Sequence, residues 1–552
     1  MTVTTDLQAP SLQLSDQPIP FELSIGVTGH RDLEDPAAVS ALVLERLEAI
    51  RRRFQADRTT PVKVIVYSAL AEGADRIVVN EARRIFPADS LRVRAVLPLP
   101  ADDYENDFEN SVSRDEFRRL LPAAEEDKIV MPPAGDRDEA YQNAGRWIVD
   151  RSDLLIAIWD GRSSSRRGGT AATVEYARNV IPASLLVVPA ARTSEPGRPV
   201  EPATPVRLAL RSGSACAALK ILRATERMNK LRLDEEPVKR LIDDAAKRES
   251  LITDPLTRAI HARAAAWSVP LYARADALAI RYQHRHQRLS MSLFLLAALA
   301  VTAVAAQLET GVSDLFALVE VGLMLTALGV YVAAVRLDDH DRWLGYRSLA
   351  EEFRAGLFLS MTGVEGHQPS ESADVTWHQR VFSMAWQLRP PIDPDQVAAE
   401  VAAPGLQQFL LDAWITVQID YHDTKQRRLQ HEREGLRNAV LILFALTVLA
   451  GLMHTFEPFG GAGWRKAAIF LAIALPGWGA ALSGIRDQRQ HHRHEGRAEH
   501  TLTRLIRLRD EVPSPATAAS VRNLASETRR ITAEDSSEWS GVEEFQDLEL
   551  AF

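Results

Sequence analysis

Residues 290–308 read SMSLFLLAALAVTAVAAQL and residues 315–335 read LFALVEVGLMLTALGVYVAAV, and these two stretches decide the architecture. A bilayer core takes about 20 apolar residues per helix, with about 17 as the lower limit. The second stretch is long enough alone and the first is marginal. Joined by a short turn, they form a helical hairpin whose backbone hydrogen bonds are satisfied internally. A second pair, Ala439 to Met453 and Ala467 to Ile485, has the same form. The chain therefore reads as four spans in two transmembrane hairpins.

Basic residues orient these spans. Arg281, Arg285 and Arg288 precede the first, Arg336 and Arg342 follow the second, Arg427, Arg428, Arg433 and Arg437 precede the third, and Arg486, Arg489, Arg493 and Arg497 follow the fourth. The positive-inside rule puts all four clusters, and so both chain ends, in the cytoplasm. The first turn carries Glu309 and Asp314 without a basic residue, whereas the second has Arg465 and Lys466 against Glu457.

Only part of the chain is membrane-like, because 46% hydrophobic residues and a mean hydropathy of −0.14 describe a largely globular protein. At 552 residues, two or more domains are expected. A net charge of −9 argues against a nucleic-acid partner. The arginines beside the spans suit anionic headgroups of a lipid bilayer instead. A single cysteine, Cys216, excludes an intrachain disulfide and fits a reducing compartment. Residues 1–20 are polar and proline-punctuated, without the apolar core of a signal peptide, and read as a disordered leader.

From Phe21 to about Ala190 the chain alternates short apolar runs with amphipathic helical patterns, which predicts a doubly wound, Rossmann-like α/β domain. The strands are expected over Leu23–Val27, Val62–Tyr67, Leu91–Leu97, Leu154–Ile158 and Ser184–Val188, with near-continuous apolar character suited to burial on both faces. Asp35 followed by Pro36 marks a helix start. Ligands of such sheets bind at the carboxyl ends of the strands, where three polar loops are expected. The first holds Gly26, Thr28, Gly29, His30 and Arg31. The second holds Ser68, Glu72, Gly73 and Asp75. The third holds Asp160, Gly161, Arg166, Arg167, Gly168, Gly169 and Thr170 and runs on to Glu175. Helix N-termini attract anions and arginines add fork-shaped donors for phosphate, so a phosphate-bearing ligand is the expectation, with Arg31, Arg167 and Gly169 holding the phosphate.

Gly26-Val27-Thr28-Gly29-His30-Arg31, the Ser68 to Arg76 segment, Leu97-Pro98 with Tyr104-Glu105-Asn106-Asp107-Phe108, and Gly168-Gly169-Thr170 with Glu175 resemble the SLOG superfamily, which includes the DprA-like proteins and the LOG enzymes. The likeness covers about the first third of the chain and implies a nucleotide-derived ligand, with no further cofactor and no metal. LOG enzymes hydrolyse the N-glycosidic bond of nucleoside monophosphates with a Gly-Gly-x-Gly-Thr-x-x-Glu loop and an arginine. Carried over, this makes Glu175 and Arg167 the catalytic candidates of an alternative, membrane-anchored N-glycosidase. Here, however, Ala171 and Ala172 stand where that loop has glycine and threonine. A close-approach position and a hydroxyl are lost, which favours binding over hydrolysis.

The membrane half shows an imperfect repeat. Tyr282 to Arg288 precedes the first hairpin and Tyr421 to Arg428 the second, while Arg336-Leu337-Asp338 and Arg486-Asp487-Gln488 follow them. With the Arg274-Ala275-Asp276-Ala277-Leu278-Ala279 run, this half resembles the SLATT class of two-helix membrane modules, which accompany SLOG domains and are proposed as pore-forming effectors in bacterial conflict. The resemblance implies the inner membrane of a bacterium and a homo-oligomer. Glu320, an acid within a span, is the pore-lining candidate. Pro476 and Gly477 predict a kink in the fourth span. The His491 to His494 run lacks carboxylate or cysteine partners at ligand spacing and reads as a solvated basic helix.

The expected organisation is a leader over 1–20, a SLOG-like nucleotide-binding head over 21–195, a helical connector over 196–270, hairpin modules over 271–360 and 406–512 joined by a linker over 361–405, and a tail over 513–552. The function expected is that of a membrane effector controlled by a nucleotide-derived signal.

Overall fold

The computed structural model describes residues 14–55, 58–122, 128–164, 167–179, 184–211, 213–309, 313–364, 376–390, 403–456, 462–488 and 491–544. The chain divides into two compact units, one of Asp16–Arg232 with His367–Leu388, the other of Met1–Ser15, Leu233–Gly366 and Arg389–Phe552.

The first unit, the head, is built on six parallel strands, β1 (Phe21–Gly29), β2 (Val62–Ser68), β3 (Leu91–Leu97), β4 (Ile129–Val130), β5 (Leu154–Trp159) and β6 (Ser184–Pro189), in the order β4-β3-β2-β1-β5-β6. Five of them lie where the apolar runs predict. The sixth, β4, has two residues, too short a run to carry a periodic signal. Leu154 through Ile158 are wholly buried, as a strand covered on both faces requires. The helices are α1 (Pro36–Gln55), α2 (Ala74–Ile85), α3 (Ala101–Tyr104), α4 (Ser111–Leu120), α5 (Arg137–Asp150), α6 (Thr170–Asn179), α7 (Val206–Ala209) and α8 (Gly213–Asn229). Asp35 Oδ1 accepts the Ala38 N–H at 2.9 Å and starts α1. Val39, Val43, Leu47, Ile50 and Phe54 recur at helical spacing and form its buried stripe.

Two segments outside the expected head boundaries belong to its core. Ile19, within the expected leader, is fully buried, and its N–H donates to Asn229 Oδ1 of α8 at 3.0 Å. The carboxylate of Glu226, also on α8, accepts the N–H groups of Thr59 and Thr60 at 3.1 and 2.9 Å.

The second unit is helical. It opens with α9 (Glu236–Glu249), α10 (Pro255–Glu309), α11 (Ser313–Leu337) and α12 (Asp339–Thr362). The chain then returns to the head through α13 (Trp377–Trp386), whose Val381, Phe382, Met384 and Ala385 are buried there. Arg380 of α13 makes a two-pronged ion pair with the buried Asp153, donates to the Glu22 carbonyl at 2.8 Å and lies over the Phe21 ring. Beyond α13 the helical unit resumes with a third long helix over Thr416–Phe456 and a fourth over Ala462–Gln488.

Among the described residues, four helices, including α10 and α11, are long and apolar enough to cross a membrane. They pack as a row in the order α11, α10, fourth, third. Off the apolar stretch, Asp276 of α10 pairs with Arg347 of α12 at 2.9 Å, Arg347 pairs with Glu351 at 2.8 Å, and Phe358 stacks on Trp414 with ring centroids 4.5 Å apart. Pro476 lies inside the fourth helix, which continues through it.

Candidate functional site in the head

Strand order reverses between β1 and β5, since β2, β3 and β4 lie to one side of β1, and β5 and β6 to the other. Sheets of this kind leave a crevice at the carboxyl edge of such a switch point. His30 and Asp160, the residues that follow β1 and β5, meet there. The Asp160 backbone N–H donates to His30 Nε2 at 3.2 Å, and the same nitrogen lies 3.1 Å from Asp160 Oδ1. The two contacts require opposite protonation of Nε2. Burial holds the His30 imidazole below its ordinary pKa even though Asp160 pulls the other way, so the neutral ring accepting the backbone N–H is the favoured state. Burial also works against ionisation of Asp160. The Arg162 N–H at 3.0 Å and the Arg192 Nε at 3.0 Å work the other way and hold the carboxyl below the usual range.

The second loop closes on the first. Gly73 has φ +71°, and a Cβ there would stand 2.3 Å from the Arg31 carbonyl oxygen and 2.7 Å from that of His30. Only glycine permits that approach. Leu70, with φ 55°, occupies the same left-handed region without being glycine. Ser68 Oγ accepts the Leu70 N–H at 2.9 Å and donates to Asp75 Oδ2 at 2.8 Å. Asp75 is buried, and burial pushes its carboxyl up to about 6.

The third loop is tied in through α5. Arg31 Nη2 donates to the Tyr141 hydroxyl at 3.1 Å, the Tyr141 hydroxyl donates to Asp107 Oδ2 at 2.5 Å, and a Cβ on Gly168 would stand 2.6 Å from Tyr141 Cβ. Burial and the Asp107 bond push the Tyr141 hydroxyl up to about 12. Arg167 pairs with Asp136 at 2.9 Å. Gly169 precedes α6, which Thr170 begins, and its carbonyl accepts the Thr173 N–H at 3.2 Å. Gly161, at φ +84°, would bring a Cβ to 2.2 Å from the Glu201 nitrogen.

Other sequence candidates have structural partners or positions of their own. Gly26 lies within β1, where a Cβ would strike Ser152 Oγ, and Thr28 continues the strand opposite Ala157. Glu72 accepts the Glu109 N–H at 3.0 Å. Glu175 is exposed on α6, whose buried residues are Thr173, Val174 and Ala177, and the near partner of Arg167 is Asp136. Arg166 lies outside the described residues.

Four side chains that the loop reading does not reach complete the site. Tyr141 and Asp107 clamp Arg31, Arg192 holds Asp160, and the hydroxyl of Tyr104 is buried without a hydrogen-bond partner among the described residues. Tyr104 and Asp107 stand in a segment that carries the SLOG likeness. Tyr141 and Arg192 sit in unremarkable sequence.

In the helical unit, Glu320 shares a seven-residue stripe of α11 with Ala327 and Ala334, which are buried. As α11 packs along α10, that stripe is its α10 face.

Comparison with known proteins adds one segment. Residues 270–393 match the family described as SMODS and SLOG-associating 2TM effector domain 3. This is a SLATT domain. It spans the apolar part of α10, all of α11 and α12, and α13, so the matched segment includes both the first hairpin and the helix that returns to the head. The second hairpin lies beyond the SLATT match. No curated protein matches the chain.

Proposed function

We propose that the chain is a membrane effector of bacterial conflict or defence, in which the head senses a nucleotide-derived ligand and controls a pore-forming or membrane-perturbing helical unit. The observation that carries this reading is the meeting of His30 and Asp160 at the switch point of a parallel sheet, in a chain that also bears a SLATT effector domain. Around that point, Arg31 and Arg192 supply positive charge, Asp75 a carboxyl able to hold a proton near neutrality, and Tyr104 a buried hydroxyl without a partner. Such convergent polar groups suit an anionic, hydrogen-bonding ligand.

Mass spectrometry of small molecules retained by the purified full chain tests the reading, followed by calorimetry with nucleoside mono- and diphosphates. A retained nucleotide whose binding is lost in Arg31→Ala supports the sensor. Release of free base from nucleoside monophosphates, lost in Glu175→Gln, identifies a hydrolase instead.

A further inference from the structure

The contact that joins the two hairpins has a definite form. Phe294 and Val301 of α10, seven residues apart, lie against Gly484 and Gly477 of the fourth helix, also seven apart. A Cβ at Gly477 would stand 2.8 Å from Val301 Cγ1, and one at Gly484 would stand 2.4 Å from Phe294 Cε1. Seven residues is about two helical turns, so each pair occupies one helix face. Alongside, Trp478 Nε1 donates to Thr302 Oγ1 at 3.2 Å. The leading helix of one hairpin thus packs two large side chains onto two glycines in the trailing helix of the other, a close approach that glycine permits in membranes.

The same spacing recurs at the ends of the row. The trailing helix of the first hairpin, α11, carries Gly322 and Gly329, and among the described residues nothing lies within 4 Å of a Cβ built on either. They stand on the face opposite Ala327 and Ala334, which pack on α10. The third helix, which leads the second hairpin, carries Leu441 and Val448, 58% and 46% exposed, on the face opposite the buried Ala450. Within a copy, the apolar stretches of α11 and the third helix are far less covered than those of α10 and the fourth.

We propose that a second copy of this chain covers these faces. The third helix of one copy lies along α11 of the next, with Leu441 over Gly329 and Val448 over Gly322, as Phe294 and Val301 lie over Gly484 and Gly477 within a copy. The argument is continuity. An interface already present between the hairpins repeats across the copy boundary, leading helix onto trailing helix. Such a contact joins two different faces, so it builds a ring where its rotation closes and not a twofold dimer. The inference deepens the membrane-effector reading and rests on it only for the bilayer in which the copies meet.

The test uses the full chain with Cys216→Ser, reconstituted in phosphatidylethanolamine–phosphatidylglycerol vesicles and oxidised with copper phenanthroline. A mixture of Gly322→Cys and Val448→Cys proteins is expected to give a cross-linked pair that neither variant gives alone. Cross-linking of Gly322→Cys with itself would show α11 facing α11 and overturn the proposal, as would a mixture that stays uncrosslinked. As a second arm, Gly329→Leu is expected to dissociate the assembly on a mass scale while leaving the thermal melt unchanged, because its site is open within a copy. Gly479→Leu, equally open but on the fourth helix, is expected to leave the assembly intact. An assembly that survives Gly329→Leu refutes the interface. Cross-linking without any effect of the chain on membranes would overturn the effector reading and leave the interface standing.

Discussion

Protonation of Asp75 is coupled to the stability of the head. Its carboxyl has a raised pKa, about 6 against an ordinary 3.8, because burial penalises the charge more than Ser68 and the backbone N–H groups stabilise it. For an acid shifted upward, the folded state binds the proton more tightly than the unfolded chain, so protonation favours folding. Asp75 therefore destabilises the head above pH 6, and that penalty fades as pH falls from 6 towards 4. The shift corresponds to roughly 3 kcal/mol at neutral pH. Asp75→Asn, which keeps an acceptor for Ser68, is expected to raise the melting temperature at pH 8 and to flatten its pH dependence between 4 and 7. A melt whose pH dependence matches the parent would assign the cost elsewhere. Arg31 belongs to the same scale. Removing it in Arg31→Ala takes away a charge-assisted contact worth about 1.5 to 3 kcal/mol, or roughly a ten-fold to hundred-fold loss of affinity for a phosphate-bearing ligand, read by calorimetry. The glycines and charged residues of these loops are legible in the sequence because their chemistry is local. Tyr141 is not, since its role comes from α5 crossing above both Arg31 and Gly168.

Among the elements, α13 departs most from its sequence reading. Its residues fall in the expected linker between hairpins, yet it is a helix of the head, held by Arg380 on Asp153 and by a buried apolar face. Breaking a buried ion pair by removing one partner leaves an uncompensated charge and typically costs about 3 to 5 kcal/mol. Arg380→Ala is expected to destabilise the head by about 3 kcal/mol in urea unfolding followed by Trp fluorescence, with increased exchange of the amides of α13. An unchanged midpoint would show that α13 contributes nothing to the head. A ten-residue amphipathic segment has an apolar face in any setting. Which surface it covers depends on Asp153, more than two hundred residues earlier. The strands of the head are legible in the sequence, because near-continuous apolar runs between turn residues are themselves the pattern of a two-sided buried sheet.

For the whole molecule, we propose from the positive-inside rule and the arginine clusters that both chain ends lie on the cytoplasmic side. Reporter fusions after Phe552 and within the turn near Asp314 are expected to report inside and outside respectively, and an external C-terminus would reject the two-hairpin arrangement. Control by ligand requires that the head bind it more tightly in one conformation than another, since equal affinity shifts nothing. Cells expressing the full chain are accordingly expected to keep their membrane potential until the signal appears. Deletion from Leu436 onward removes two of the four spanning helices and is expected to abolish the depolarisation, while Glu175→Gln preserves it. A Glu175→Gln protein that binds ligand normally yet never depolarises cells would sink the sensor reading.

Local chemistry and period determine what the sequence alone supplies here: the parallel α/β head, the three glycine-bearing loops at its strand ends, and the four long apolar helices. Hydrophobic burial is periodic, and periods of two and 3.6 residues are written along the chain. The tertiary structure alone decides that His30 meets Asp160, that Ile19, α8 and α13 complete the head, and that Gly477 and Gly484 receive Val301 and Phe294. Each of these is a contact between distant segments. A side chain's own sequence neighbourhood states which surface it can offer, and the partner appears only when the chain has folded back.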